Sequence, residues 1–240
     1  SDPVRKCRGK RKSVRPLRSR ALPLRVLTWN LYHGRAVPGA GRSLLAEFAA
    51  ALAGWEWDVA LLQEVPPWWP PELARKAGAE QRTAPTSRNA LLPIRRWIAD
   101  RHPDVIKSNG GGCNAILARA RIVDHRTRRL RCLPERRVVQ GVALEGGRWA
   151  ANSHATVHDP ERAAADVELA ARTALAWADG AQLVLGGDFN VREPQVNGLL
   201  HAGGHGVDHV FARGLHAVGE AEVLERGRLS DHAPVRVALS

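Results

Sequence analysis

No apolar run in this chain approaches the roughly 20 residues that a helical membrane span requires, so an integral helical membrane protein is excluded. Cysteine is scarce. Cys7, Cys113 and Cys132 are odd in number and show no CxxC spacing, which argues against a disulfide framework and against a cysteine zinc site; ordinary thiols are the default, with a Cys113 to Cys132 bridge as the alternative. Lysine is confined to Lys6, Lys10, Lys12, Lys76 and Lys107. Methionine is absent, and a chain opening on Ser1 is expected to have lost an upstream segment by processing or trimming, an excised targeting signal included. The expectation is a soluble protein, cytoplasmic or secreted, and monomeric.

What is present is enough apolar material for a real core: 240 residues, 44% of them hydrophobic. No internal repeat divides the chain, and polar motifs run from Asn30 to His232, so one domain over residues 23–240 is preferred to two small ones. The formal charge of +12 is unevenly spread. Ten Lys or Arg and Asp2 alone fall within residues 1–25, leaving a body of only about +3. Residues 1–22 therefore read as a basic arm without core-forming periodicity, interrupted by Pro3 and Pro16. Such an arm adds salt-sensitive affinity for polyphosphates by counterion release; a solubilising or cloned-in remnant is the plain alternative.

Short apolar segments that end on polar residues organise the chain. Leu24 to Trp29 ends at Asn30, Val59 to Gln63 at Glu64, and Leu183 to Gly187 at Asp188; their length and branching favour buried strands. Between the first two, Leu44, Leu45, Phe48, Ala49 and Leu52 recur at helical spacing, with Ser43 as N-cap and Gly54 as terminator. A second helix starts at Asp159-Pro160, carries Val167, Ala170, Ala171, Ala174 and Leu175 on one stripe, and stops before Gly180. A third is expected over Ile94 to Ala99. Further strands are predicted at Ala115 to Ala118, Val138 to Leu144, Trp149 to Ser153, His209 to Phe211 and Ala233 to Leu239, with a hairpin turn at Gly146-Gly147. Asn30, Glu64, His154 and Asp188 follow their strands whereas Asp208, Asp231 and His232 precede theirs. For all of them to share one rim, the last two strands must run against the others, which requires mixed sheets stacked and flanked by helices.

The chemistry of that rim is specific. Asn30, Glu64 and Asp231 offer oxygen donors suited to a hard divalent cation, Mg²⁺ or Mn²⁺, which bridges to phosphate oxygens. Asp188 can orient or deprotonate a water while the Asn190 amide holds a phosphate oxygen. His154 and His232 can donate to developing negative charge or to a leaving oxygen, and Asp208 is a natural orienter for His232. Each residue alone has a plainer reading as a turn, cap or surface residue; the ordered set carries the argument. Asn109-Gly110-Gly111-Gly112 reads as a turn, with Asn114 available to line the rim. His158, His201, His205 and His209 read as structural or solvent-facing. The arginine-rich segment from Arg119 to Arg137 reads as a solvated strand surface or a phosphate-binding face. Trp68-Trp69, between prolines, suits stacking on a base, contact with an acyl chain, or packing over the core.

With Thr28-Trp29-Asn30-Leu31, Leu62-Gln63-Glu64-Val65, Asn114-Ala115-Ile116-Leu117, Asn152-Ser153-His154, Gly187-Asp188-Phe189-Asn190, Val207-Asp208-His209-Val210 and Ser230-Asp231-His232 in view, the chain over about residues 24–240 resembles the endonuclease/exonuclease/phosphatase superfamily. That group includes pancreatic deoxyribonuclease, abasic-site endonucleases, neutral sphingomyelinases and inositol polyphosphate 5-phosphatases. The resemblance implies a single-domain α/β four-layer sandwich of two mixed β-sheets flanked by helices, and metal-dependent phosphoester cleavage at one rim. It also implies Glu64 as main metal ligand with Asn30 and Asp231 nearby, Asp188 and Asn190 acting on nucleophile and phosphate, and Asp208 paired with His232. Asn152-Ser153-His154-Ala155 departs from the Tyr-x-Pro-Asn pattern of abasic-site endonucleases and is similar to the deoxyribonuclease-like and sphingomyelinase-like branches. In the deoxyribonuclease-like arrangement that histidine has an acidic partner between the Glu64 and Asn114 motifs; the candidates here are Glu72, Glu80, Asp100 and Asp104. The expected substrate is nucleic acid, DNA or RNA, with a phospholipid or small phosphoester as the alternative.

Overall fold

The computed structural model describes residues 22–102, 112–133 and 135–240. The basic arm to residue 21, Cys7, Asp104 and the Asn109-Gly110-Gly111 part of the expected turn lie outside the described residues. The elements follow in the order β1 (Leu24–Asn30), α1 (Leu45–Gly54), β2 (Val59–Val65), α2 (Pro70–Ala77), β3 (Glu80–Pro85), α3 (Leu92–Arg101), β4 (Cys113–Ala118), β5 (Ile122–Arg131) and β6 (Arg137–Leu144), then β7 (Trp149–His154), α4 (Pro160–Ala178), β8 (Leu183–Asp188), β9 (Leu200–His205), β10 (Asp208–Arg213), β11 (Glu222–Val223) and β12 (Val235–Leu239). They build two six-stranded sheets, ordered β11-β12-β1-β2-β4-β3 and β5-β6-β7-β8-β10-β9.

Both sheets are mixed, for the reason the rim demands. β1 and β2 run parallel, as do β7 and β8, while β12 lies antiparallel to β1 and β10 antiparallel to β8. Strands that deliver a polar residue at their C-terminal end thus meet strands that begin with one. The two-residue period of a strand then decides which side chains face the neighbouring sheet. Val26, Leu61, Ile116, Val184 and Val210 pack in the core between the sheets, and Asn30, Gln63, Asn114, Asp188 and Asp208 share their parity. The polar residues are therefore the last members of inward-facing rows.

The outer faces are covered separately. α1 and α2 pack Phe48, Leu52 and Leu73 against Leu27, Trp29, Leu62 and Leu117 of the first sheet. α4 presents Ala163, Val167, Ala170, Ala171 and Ala174 to Val139, Ala151, Leu183 and Leu185 of the second. This gives helix, sheet, sheet, helix, a four-layer α/β sandwich in one domain. Gly141 on β6 is required by this packing, because a Cβ there would meet the Trp177 ring at 2.8 Å.

Several boundaries differ from the sequence expectation. α1 begins at Leu45 after Leu44 without a side-chain cap, so Ser43 is not its N-cap, and Gly54 is its last residue. α4 is as expected: Asp159 accepts from the Arg162 N–H with Pro160 in the first turn, and the helix ends at Asp179, in the left-handed region, ahead of Gly180. β3, β5, β9 and α2 have no counterpart in the predicted elements. Cys113 is buried and Cys132 exposed, both free, which removes the bridge between them. Trp69 is buried and Trp68 half-buried against the first core, so their loop folds over the core. Among the described residues no helix is long and apolar enough to cross a membrane.

A pair of buried amides crosses the apolar space between the sheets. Gln63 Nε2 donates to Asn152 Oδ1 at 2.8 Å and lies within reach of Thr28 Oγ1 and the Leu61 carbonyl, while Asn152 Nδ2 donates to the carbonyls of Leu62 (2.8 Å) and Ala115 (3.0 Å). Those two carbonyls sit where the β2–β4 ladder slips register between Leu62 and Val65. Asn152 therefore satisfies a defect in the opposite sheet. An unsatisfied buried carbonyl costs about 1–3 kcal/mol, so Asn152→Ala is expected to lower the unfolding free energy by roughly 3 kcal/mol in urea titration; a loss below about 1 kcal/mol would contradict the bridging role.

Candidate active site

At the open end of the cleft between the sheets, the polar ends of β1, β2, β7, β8 and β10 converge with the loop before β12. Asp188 is at the centre. Its Oδ1 accepts the Asn190 backbone N–H at 3.1 Å and its Oδ2 accepts the Asn30 amide at 2.9 Å, so a β8 residue and a β1 residue are tied across the sheets. His154 Nε2 lies 3.4 Å from Asp188 Oδ2 and 3.9 Å from Glu64 Oε1. His232 approaches the same Asp188 oxygen with its Nε2 at 3.6 Å and binds Asp208 Oδ2 through Nδ1 at 2.7 Å. Asn190 commits one amide hydrogen to the Ala155 carbonyl, leaving the second for a ligand.

The Asp231 loop is fixed independently. Ser230 Oγ donates to the Asn30 carbonyl at 2.7 Å, the His232 N–H returns to Ser230 Oγ at 3.0 Å, and Trp29 Nε1 donates to the His232 carbonyl. Asp231 itself is exposed and touches Ser230 Oγ at 3.5 Å. All eight residues expected from the sequence, Asn30, Glu64, His154, Asp188, Asn190, Asp208, Asp231 and His232, thus lie on this rim. Asn114 joins them, fully buried, with Nδ2 on the Val138 carbonyl.

Backbone strain collects at the same place. Tyr32, His33, Glu64, Asn190 and Ser230 have φ of 48, 52, 51, 51 and 60°, a conformation that costs non-glycine residues about 1–3 kcal/mol each and persists only where surrounding structure imposes it. At Gly187, with φ of 152°, a Cβ would fall 1.8 Å from the Ser153 carbonyl oxygen, so β8 can bring Asp188 beside β7 only with glycine there.

The two histidines at Asp188 are in opposite states. Burial pushes His154 down, with the Arg137 charge acting the same way against Asp188 and Glu64, and it stays neutral at pH 7. For His232 burial acts downwards too, but the Asp208 hydrogen bond and the charges of Asp208, Asp188 and Asp231 outweigh it and carry the group up to about 9. Asp208 is raised to about 6, by burial first and then by Asp188, against the pull of His232. Between those values the pair is an imidazolium against a carboxylate.

Asn30, Glu64 and Asp231 form an oxygen set whose chemistry fits a hard divalent cation, and the buried His154 Nε2, Asp208 Oδ1 and Asn114 Oδ1 have no hydrogen-bond partner, as expected of a rim built to hold a polar ligand. A second group on the rim is close-set: ligand atoms of Asp188, Asp208 and His232 lie within 4.8 Å of one another. An imidazolium at His232 repels a cation, so this cluster suits proton transfer better than metal binding.

Some expectations are corrected. The acids within 4 Å of His154 are Glu64 and Asp188. Glu72 pairs with Arg75, Glu80 with Arg82 and Asp100 with Arg96, so none of these three is its partner. Four of the eight arginines between Arg119 and Arg137 (Arg126, Arg128, Arg129 and Arg131) lie on β5, an edge strand, in keeping with the expected solvated strand surface; the buried member is Arg137, paired with Glu135 at 2.6 Å. Sequence reasoning missed His33, whose Nε2 stands 3.1 Å from Glu64 Oε2 and which burial and the Arg35 charge push down to about 4. Its place in the turn after Asn30 was the available signal. His209 is a structural residue on the Val191 carbonyl and His201.

The profile of a family described as "Endonuclease/Exonuclease/phosphatase family" matches residues 27–232. No curated protein matches the chain. Among solved structures, the chain is similar to an endonuclease/exonuclease/phosphatase from Beutenbergia cavernae (20% identity, 91% of this chain and 71% of that one, TM-score 0.66). It is also similar to the mannosyl-6-phosphatase Bt3783 of Bacteroides thetaiotaomicron (16%, 90% and 99%, TM-score 0.67) and to the human Nocturnin catalytic domain with bound sulfate (20%, 91% and 94%, TM-score 0.63).

In metal-free protein the His232 ring signals are expected to titrate with a midpoint near 9, remaining protonated through neutral pH, and to move sharply downwards in Asp208→Asn. A wild-type midpoint at or below about 6.5, the unperturbed histidine value, would remove the acid and histidine pair.

Proposed function

The chain belongs to the endonuclease/exonuclease/phosphatase family, and from that premise we propose that it is a divalent-cation-dependent phosphodiesterase that hydrolyses DNA or RNA. The observation that carries this reading is the meeting of Glu64, His154, Asp188 and His232 at one cleft mouth, linked through contacts of 3.4–3.9 Å. Hydrolysis of a phosphodiester needs an anchored charge-neutralising group, an oriented water and a proton for the departing oxygen. The rim offers a residue for each.

Glu64, with Asn30 and Asp231, would hold Mg²⁺ or Mn²⁺, which when bound neutralises charge on a phosphate oxygen. Asp188 orients the attacking water and accepts its proton as the new P–O bond forms; the hydrogen bonds from Asn30 and the Asn190 backbone fix the carboxylate for that task. The free Asn190 amide hydrogen and neutral His154 donate to the phosphate oxygens. His232, protonated at neutral pH and oriented by Asp208, gives its Nε2 proton to the leaving oxygen as the old P–O bond breaks.

The preference for nucleic acid rests on the basic arm, residues 1–22, preceding the catalytic domain of residues 23–240, and on the arginines of β5. A lipid or small phosphoester substrate is the second reading. With Trp69 buried, the feature that favours it is the exposed apolar side of α3 and its lead-in, where Leu91, Ile94 and Trp97 are 70%, 57% and 56% accessible.

Plasmid DNA, single-stranded nucleic acid, sphingomyelin and bis(nitrophenyl) phosphate assayed in parallel with Mg²⁺ separate the two: nucleic acid left intact while lipid is cleaved would overturn the preference. Asp188→Ala and His232→Ala are each expected to reduce kcat by roughly 10²–10⁴-fold with unchanged circular dichroism, and near-normal rates in either would refute its role. Deleting residues 1–22 should weaken polyanion binding and flatten its salt dependence; identical salt slopes would show the arm to be irrelevant.

A further inference from the structure

We infer that His33 is a nitrogen donor to the divalent cation held at Glu64, making this a mixed nitrogen and oxygen site with a preference for Mn²⁺ over Mg²⁺. The inference rests on the reading of Glu64 as a metal ligand.

The first support is a distance. His33 Nε2 lies 3.1 Å from Glu64 Oε2. Two donors at right angles on an octahedral ion, each bonded at about 2.1 Å, stand about 3 Å apart. The spacing is that of two neighbouring corners of one coordination shell. Both side chains are 21% accessible, so the contact sits at the cleft mouth, where an ion can enter.

The second support is the backbone. Asn30 Oδ1 accepts the Tyr32 N–H at 2.9 Å, and the Gly34 N–H closes a short turn on the Leu31 carbonyl at 2.8 Å. This turn holds His33 with φ of 52°, and Glu64, on the adjoining strand, has φ of 51°. Two non-glycine residues in the left-handed region thus aim their side chains at each other. The turn is closely packed on one side, since a Cβ on Gly34 would fall 2.3 Å from the Trp69 ring. Asn30 thus shapes the turn that brings His33 to Glu64.

The chemical consequence concerns which ion is retained. An all-oxygen set suits Mg²⁺, whereas an imidazole nitrogen favours first-row transition ions. His33 would bias a site that Asn30, Glu64 and Asp231 alone leave open to either metal.

The test uses Mn²⁺ and the full chain, read by equilibrium binding and by pulsed electron paramagnetic resonance. The wild type is expected to show modulation from a directly bound imidazole nitrogen. His33→Ala should lose that modulation and bind Mn²⁺ at least about tenfold more weakly, the lower end of what removing even an indirect partner costs, while its Mg²⁺ affinity falls less. His33→Gln, which keeps an N–H donor for Glu64, should lose the modulation as well. Mn²⁺ bound without nitrogen modulation in the wild type, or modulation that survives in His33→Ala, would overturn the inference and leave Glu64 as ligand. Unchanged Mn²⁺ affinity in Glu64→Gln would overturn both.

Discussion

The buried amide pair of Gln63 and Asn152 is the contact on which the site depends, because its hydrogen bonds fix how two largely apolar sheet faces are aligned. Valine and leucine side chains such as Val26, Leu61 and Val184 attract without direction, so they would accept many offsets between the sheets. An amide pair accepts one. Glu64 immediately follows Gln63 on β2, and His154 follows Asn152 by two residues on β7, so the alignment set by the amides is handed directly to the carboxylate and the imidazole. The Asn152 amide hydrogens, donated to the Leu62 and Ala115 carbonyls, satisfy the slipped β2–β4 ladder beside which Glu64 adopts its left-handed backbone.

Above this clasp, burial and charge divide similar side chains into different roles. His154 and His232 both face Asp188 Oδ2, yet the first is neutral and the second protonated near pH 7. The difference comes from Asp208, which reaches His232 and not His154. Two titratable groups pushed apart by their surroundings are how one cleft supplies both a neutral donor and an acid at a single pH. The strain at Glu64, His33, Asn190 and Ser230 is the conformational cost of aiming them, borne by the packed sheets beneath.

Much of this was legible in the sequence, for reasons that particular residues make plain. β2 and β8, and β1 from Val26 onwards, are buried on both faces, so they appear as short apolar-rich runs whose polar terminal residues stand out. Asp159-Pro160 is a helix start that local chemistry alone specifies. The reversed direction of β10 and β12 followed from requiring Asp208 and His232 to meet Asp188. Missed elements have a different cause: β3, β5 and β9 lie at or near sheet edges, half solvated, and read as polar or mixed stretches. β5 in particular looked like an arginine cluster. The partner of His154 was sought in the segment between Glu64 and Asn114, whereas the acids near it, Glu64 and Asp188, were already in the site. His33 stands in the turn after Asn30 and Asn152 in the motif before His154, but what each of them touches is set by tertiary packing that local pattern does not encode.

The central claim is that the polar ends of two sheets close on one phosphoester and one divalent ion. Anomalous diffraction from crystals grown with Mn²⁺ and a nucleoside monophosphate tests it most directly. The account predicts a metal peak against the Glu64 carboxylate, with the phosphate lying between it, Asn190 and His232. A peak elsewhere, or a phosphate bound away from Asp188 with the Glu64 position empty, would contradict it.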